Sequence, residues 1–251
     1  MSAPFDLTGK TAAVTGGGRG LGRGITEALL VAGADVVVLG RNAVPDDLVA
    51  YGASLGRRVH FATLDLADSD AIAVTAAHVL ADHQVDILVN NAGTQDRYPA
   101  VDFPLEAWDR VLDINVRAVF QLCQLFGRPM LERGEGKIVN LASLLSFQGG
   151  LTVPAYAASK GAVAQLTKAL CNEWSSKGVN VNAVAPGYMA TEMNTALLAD
   201  PARMEQLSVR IPAGRWGQPD DIGNVVVFLA SPAATYVHGQ VLAVDGGWLA
   251  R

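Results

Sequence analysis

Seven short runs of β-branched and apolar residues alternate with longer stretches of helical periodicity along the whole chain, and this alternation leaves few folds open. The runs are Thr11 to Thr15, Asp35 to Leu39, Val59 to Leu64, Asp86 to Val89, Lys137 to Leu141, Val179 to Val184 and Val241 to Val244. Helical stretches fall near Leu21 to Val31, Ser69 to Ala81, Leu105 to Leu131, Tyr156 to Ser176 and Asp220 to Ala230, with Gly33 and Gly178 placed as C-terminal stops. Strand–helix–strand repetition implies crossover units and a parallel sheet covered on both faces. The expected fold is therefore α/β, one doubly wound parallel sheet of about seven strands. No linker of Pro, Gly and Ser divides the chain, so residues 1–251 are read as one domain. The segment from Met189 to Gln218 is the least regular and is expected to cover a site near the strand ends.

Directly after the first run comes Thr15-Gly16-Gly17-Gly18-Arg19-Gly20-Leu21-Gly22, leading into an amphipathic helix. A strand, a glycine turn and a helix N-terminus make a cradle for pyrophosphate, because glycine lets the backbone approach and the helix dipole favours negative charge. The pattern is T-G-x-x-x-G-x-G rather than G-x-G-x-x-G. An acid roughly 20 positions beyond such glycines would bind an adenosine ribose, whereas an arginine would pair with a 2′-phosphate. Here the second run ends Leu39-Gly40-Arg41-Asn42, so Arg41, with Arg19 from the loop, favours the phosphorylated dinucleotide; the alternative for each is a solvated surface arginine.

Other function classes are disfavoured. Net charge is −5, with no stripe of Lys and Arg to track a nucleic acid. The start lacks a signal peptide pattern and no apolar stretch is long enough to span a bilayer, so a cytoplasmic location is expected. Cys123 and Cys171 form no C-x-x-C pair and the four histidines are scattered, so no metal is assigned.

Tyr156 and Lys160 stand four apart in Tyr-Ala-Ala-Ser-Lys and so share one helical face. A neighbouring ammonium favours the phenolate, which would bring the tyrosine into a useful range for proton transfer. Together with the glycine turn, this pair makes the chain resemble the short-chain dehydrogenase/reductase family over essentially its whole length. The matching motifs are Thr15-Gly16-x-x-x-Gly20-x-Gly22, Asp65-Leu66, Asn90-Asn91-Ala92-Gly93, Asn115, Ser143, Tyr156-x-x-x-Lys160 and Pro186-Gly187 with Thr191. The resemblance implies a Rossmann-type fold, NAD(P) as cofactor and interconversion of a secondary alcohol and a ketone. It further implies that Ser143 binds the substrate oxygen, Tyr156 exchanges its proton, Lys160 lowers the tyrosine pKa and holds the nicotinamide ribose, and Asn115 positions a relay water. Cofactor contacts are implied for Thr15, Gly16, Gly18, Arg19, Gly20, Leu21, Gly22, Arg41, Asp65, Leu66, Asn91, Ala92, Gly93, Tyr156, Lys160, Pro186, Gly187 and Thr191. For Asn90 and Gly93 the alternative is a role in fixing the turn after the fourth strand.

Leu144 to Gly150, Ile211 to Gly217 and Val244 to Arg251 resemble the family branch that includes 2-deoxy-D-gluconate 3-dehydrogenase and 2-dehydro-3-deoxy-D-gluconate 5-dehydrogenase. That resemblance implies a deoxy sugar acid as substrate and a homotetramer, with the apolar Trp248-Leu249-Ala250 at a subunit contact or packed on its own subunit. Branch members are usually NAD-dependent, from which Gly40-Arg41 departs. A sugar acid needs a cation for its carboxylate. Arg97 is the candidate anchor, or else a surface residue paired with Asp96 or Asp102, and Gln95, Ser146 and Gln148 are candidates to line the same pocket beside Ser143 and Tyr156. A 3-oxoacyl-carrier-protein reductase is the nearest alternative, and a non-catalytic dinucleotide-binding module a more distant one, since Ser143, Tyr156 and Lys160 are all present.

Overall fold

In the computed structural model, which describes residues 3–191 and 201–251, the seven expected runs form one parallel sheet in the order β3-β2-β1-β4-β5-β6-β7. The strands are β1 (Thr11–Thr15), β2 (Asp35–Gly40), β3 (Val59–Thr63), β4 (Ile87–Asn90), β5 (Gly136–Leu141), β6 (Val179–Pro186) and β7 (Val241–Val244). The helices are α1 (Gly20–Val31), α2 (Asp46–Ser54), α3 (Ser69–Asp82), α4 (Leu105–Leu112), α5 (Ala118–Arg133), α6 (Pro154–Trp174), α7 (Pro201–Ser208) and α8 (Pro219–Ala230). Central strands such as β4 and β6 are buried along nearly their whole length, as expected for a sheet with helices on both faces.

Two apolar layers sandwich the sheet. Ile25, Leu29 and Leu30 of α1 meet Ile222, Val226 and Leu229 of α8 on one face. Ile72 of α3, Phe126 and Met130 of α5 and Leu170 and Trp174 of α6 fill the other. Each such fully buried side chain contributes roughly 1.5–3 kcal/mol. After β3 the chain crosses back to lay β4 beside β1, in register Ala13 to Leu88. That reversal opens a crevice at the carboxyl ends of β1 and β4, where sheets of this kind bind ligands.

Three expectations change. The single helix read from Leu105 to Leu131 is broken by a π-helical turn, Asp113–Arg117, where the Ala118 N–H bonds the Asp113 carbonyl five residues back. Asp46–Ser54 and Pro201–Ser208 form helices that the periodicity did not reveal. Of the expected cover, residues 192–200 lie outside the described residues. No helix among the described residues is long and apolar enough to cross a membrane.

Candidate active site

The turn after β1 is shaped by its glycines. Gly16 and Gly20 take left-handed backbone (φ 66° and 51°), and a Cβ on Gly22 would stand 2.1 Å from the Gly16 carbonyl oxygen. Thr15 Oγ1 accepts the N–H groups of Asn91 (2.9 Å) and Ala92 (3.0 Å), while Asn91 Nδ2 donates to the Thr15 carbonyl at 2.9 Å. Thr15 and Asn91 thus bind the turn after β4 to the glycine turn. At the start of α1 no side chain caps the helix and no acid occupies its first turn, which leaves an electropositive end suited to an anion. The cradle fits a dinucleotide pyrophosphate.

The other expected cofactor positions line the same carboxyl edge. Arg19 and Arg41 are exposed, and a Cβ on Gly40 would touch nothing within 4 Å. Asp65, just past β3, accepts the Ala67 N–H at 3.0 Å, and Leu66 packs on the core. Gly93 lies against Asn115 and Lys160, since its Cβ would come 3.2 Å from Asn115 Oδ1 and 3.7 Å from Lys160 Nζ. Gly187 donates to the Val244 carbonyl at 2.9 Å just past Pro186, and Thr191 donates to Met189 at 3.0 Å.

Ser143 lies two residues past β5, and its hydroxyl accepts the Leu145 N–H at 3.2 Å. Ser146 accepts the Ser143 N–H at 3.3 Å and donates to the Lys160 carbonyl at 2.7 Å, so its hydroxyl couples the serine loop to α6. On α6, Tyr156 and Lys160 face the same side, with Nζ 5.6 Å from the phenol ring centre. The ammonium donates to the carbonyl of Leu141, the last residue of β5, at 2.6 Å, and burial brings its pKa down to about 8. Burial pushes the Tyr156 phenol up, opposed by its hydrogen bond with Ser143. Desolvation thus outweighs the phenolate stabilisation expected from Lys160. Asn115 sits in the π-helical turn, where both amide hydrogens are engaged, one by the Thr94 carbonyl (2.9 Å) and one by Ser159 Oγ (3.0 Å). Its amide oxygen accepts the Thr94 N–H at 2.9 Å. Ser159 in turn donates to the Tyr156 carbonyl at 2.8 Å.

On the substrate side, Asp96 takes Arg110 as its partner at 2.6 Å rather than Arg97, which is exposed. Gln95 is half-buried beside it. Gln148 Oε1 accepts the indole N–H of Trp248 at 3.2 Å. Trp248 of the apolar tail is buried within its own chain against Leu144, Leu207, Ile211 and Trp216. The contacts of Leu141, Ser159 and Thr94 went unread in the sequence, and Trp248 was read only as part of an apolar tail, because main-chain acceptors and single long-range hydrogen bonds leave no periodic or spaced signature.

A switch-point glycine cradle joined to a Ser-Tyr-Lys cluster defines a dinucleotide-dependent oxidoreductase of the short-chain type. Comparison with known proteins agrees: residues 16–249 match the family described as enoyl-(acyl carrier protein) reductase, and the chain belongs to that family of short-chain dehydrogenases/reductases. The 2-dehydro-3-deoxy-D-gluconate 5-dehydrogenase of Bacillus subtilis (strain 168) is 53% identical over 247 residues, 98% of this chain and 97% of the relative. A structure from Beutenbergia cavernae, described as a candidate NAD(P)-dependent gluconate 5-dehydrogenase with NADP bound at low occupancy, superposes with a TM-score of 0.96 at 50% identity, covering 99% of this chain and all of that one. A gluconate 5-dehydrogenase from Burkholderia cenocepacia J2315, in complex with NADP and tartrate, gives 0.93 at 39% identity over 99% and 98%.

Proposed function

We propose that this protein is an NAD(P)-dependent dehydrogenase of a deoxy sugar acid, interconverting a secondary alcohol and a ketone, most closely of the 2-dehydro-3-deoxy-D-gluconate 5-dehydrogenase type. The observation that carries the reaction class is the convergence of Ser143, Tyr156 and Lys160 beyond β5, next to the glycine cradle. Near-complete alignment with the Bacillus subtilis relative supports the substrate class.

The dinucleotide would be held by the amides of the 16–22 turn and by Arg19, Arg41, Asp65, Gly93 and Lys160, and when bound it supplies or accepts the hydride. In reduction, Ser143 donates a hydrogen bond to the carbonyl oxygen and the Tyr156 phenol gives it a proton; in oxidation, the phenolate takes the proton back. Lys160, with its pKa near 8, exchanges its own proton readily and replenishes Tyr156. The exposed Arg41, beside open space at Gly40, favours NADP(H) over NAD(H). Arg97 contributes a cation that draws the carboxylate to the cleft. Exposed Leu105 and Phe120 on α4 and α5 support a homotetramer built on these helices, and the free thiols of Cys123 and Cys171 accord with a cytoplasmic location.

A panel of 2-dehydro-3-deoxy-D-gluconate, 2-deoxy-D-gluconate, D-gluconate and a 3-oxoacyl thioester, each assayed with NAD(H) and NADP(H), tests this reading. A sugar acid is expected to give the highest kcat/KM. Faster turnover of the thioester overturns the assignment, and light scattering that returns a monomer overturns the tetramer.

A further inference from the structure

Trp248 gathers two donors around one ring. Its indole N–H holds Gln148 Oε1 at 3.2 Å, which fixes the orientation of that amide and turns its NH2 group away from the ring. The Arg210 guanidinium lies over the same indole, 3.9 Å from its centre. Neither the Gln148 NH2 nor the Arg210 guanidinium has a hydrogen-bond or ion-pair partner among the described residues. By contrast, Arg110 pairs with Asp96 at 2.6 Å and Arg215 with Asp221 at 2.7 Å.

The platform is rigid and close to the chemistry. Trp248 shares its packed cluster with Leu144, the neighbour of Ser143, and its ring lies 4.7 Å from that of Tyr188, just past β6. The two carboxylate oxygens of Asp245 accept the N–H groups of Gly247 and Leu249, both at 2.9 Å, so this acid is engaged in holding the turn that carries the indole. A guanidinium stacked on an aromatic face keeps its N–H edge free for a planar carboxylate and loses little freedom on binding one.

We infer that Arg210 and Gln148, oriented by Trp248, form the station that grips the carboxylate of the substrate. This inference rests on the sugar-acid reading for its substrate, but not for its binding chemistry.

The test is calorimetric titration of the NADP-loaded protein with D-gluconate, alongside kcat/KM for 2-dehydro-3-deoxy-D-gluconate and its neutral primary amide. Arg210→Ala should weaken gluconate binding about ten- to a hundredfold, the effect of losing a charge-assisted contact, and should lower kcat/KM for the acid at least about tenfold more than for the amide. Arg210→Lys should recover only part of this, because a point charge replaces the planar fork. Trp248→Phe, which keeps an aromatic ring but deletes the indole N–H, should raise KM for the acid with little change in kcat. NADP affinity and melting temperature check that each variant is folded. Gluconate binding without turnover of any sugar acid would keep the station and overturn the sugar-acid reading. No gluconate binding by the unmodified protein, or equal losses on acid and amide in Arg210→Ala, overturns the station.

Discussion

Two lysines stand at opposite ends of β5, Lys137 half-buried and Lys160 buried, and they are treated differently. Lys137, the second residue of the strand, donates to Asn180 Oδ1 at 2.9 Å, and the nearby Glu135 carboxylate works against the downward pull of burial on its pKa. Around it Lys10 bonds Glu135 at 2.8 Å and approaches Asp86 at 3.7 Å, so the amino edge of the sheet is a mesh of compensated charge. Lys160, at the carboxyl edge, has the Leu141 carbonyl but no acid to offset its burial. A buried charge that lacks compensation costs stability, and such a cost persists where chemistry needs the group. Cavity size does not make this distinction. A cavity of about 490 Å³ opens at the amino edge, between the ends of α3 and α5, far along the sheet from Ser143.

The largest effect that sharpens this contrast comes from Tyr156→Phe, which keeps the ring but removes the proton. Turnover should fall more than roughly a hundredfold, while dinucleotide affinity changes little. Because burial raises the phenol pKa, oxidation, which needs the phenolate, should accelerate as pH rises into the alkaline range, and reduction, which uses the phenol, should slow over the same range. Rate profiles in both directions check this. A variant that retains activity within a few-fold would show that the carboxyl edge owes its chemistry to another group.

Lys160→Met ranks next. Activity should drop at least about tenfold, and yet the variant should be more stable at neutral pH by roughly 1–3 kcal/mol, since an uncompensated buried ammonium is replaced by an apolar chain of similar length. The sign follows from linkage. The folded pKa of about 8 lies below the ordinary lysine value of 10.5, so the cost of burying the ammonium is full below pH 8 and vanishes as pH rises to 10.5. The advantage of methionine should therefore shrink over that window in urea denaturation experiments. A destabilised variant at pH 7 would mean that the ammonium is compensated after all.

The legibility of these features in the sequence follows physical lines. The strands were readable because a sheet buried on both faces needs continuous β-branched runs, as in Val36-Val37-Val38. The Tyr156–Lys160 pair was readable because a helix fixes the i, i+4 spacing, and the glycine turn because left-handed backbone selects for Gly16 and Gly20. The π-helical turn at Asn115 was not, since one extra residue per turn leaves an apolar pattern almost unchanged over five residues. Helix α2 did carry a signal, Pro45 followed by Asp46 and Asp47 at its first turn, but its outward face gave no strong periodicity. Trp248 reads as an apolar tail whether it packs on its own chain or on another, and its packing on Leu144 and Trp216 and its contacts with Gln148 and Arg210 are long-range features that the sequence does not display.

The smallest effect belongs to Lys137→Met, and it is the control on which the contrast depends. Removing the ammonium leaves Asn180 Oδ1 without its donor, at a cost of about 1 kcal/mol, and relieves the partial burial that pulls the lysine pKa down, so net stability should stay within roughly 1 kcal/mol. Asn180 remains anchored through its Nδ2 group to the carbonyls of Thr235 (3.2 Å) and Val237 (3.1 Å), which keeps the β6 and β7 ends in place. The pairing of β5 with β6 from Gly136–Val179 to Leu141–Val184 does not involve the side chain at all. The carbonyl of Leu141 should therefore still receive Lys160, and kcat/KM should remain within about twofold of the unmodified protein, a change of under roughly 0.5 kcal/mol in barrier. Steady-state kinetics and urea denaturation on one preparation measure both quantities. A tenfold loss of activity in Lys137→Met would mean that the amino edge sets the position of Leu141 and Lys160, and that the two ends of β5 act as one device rather than two.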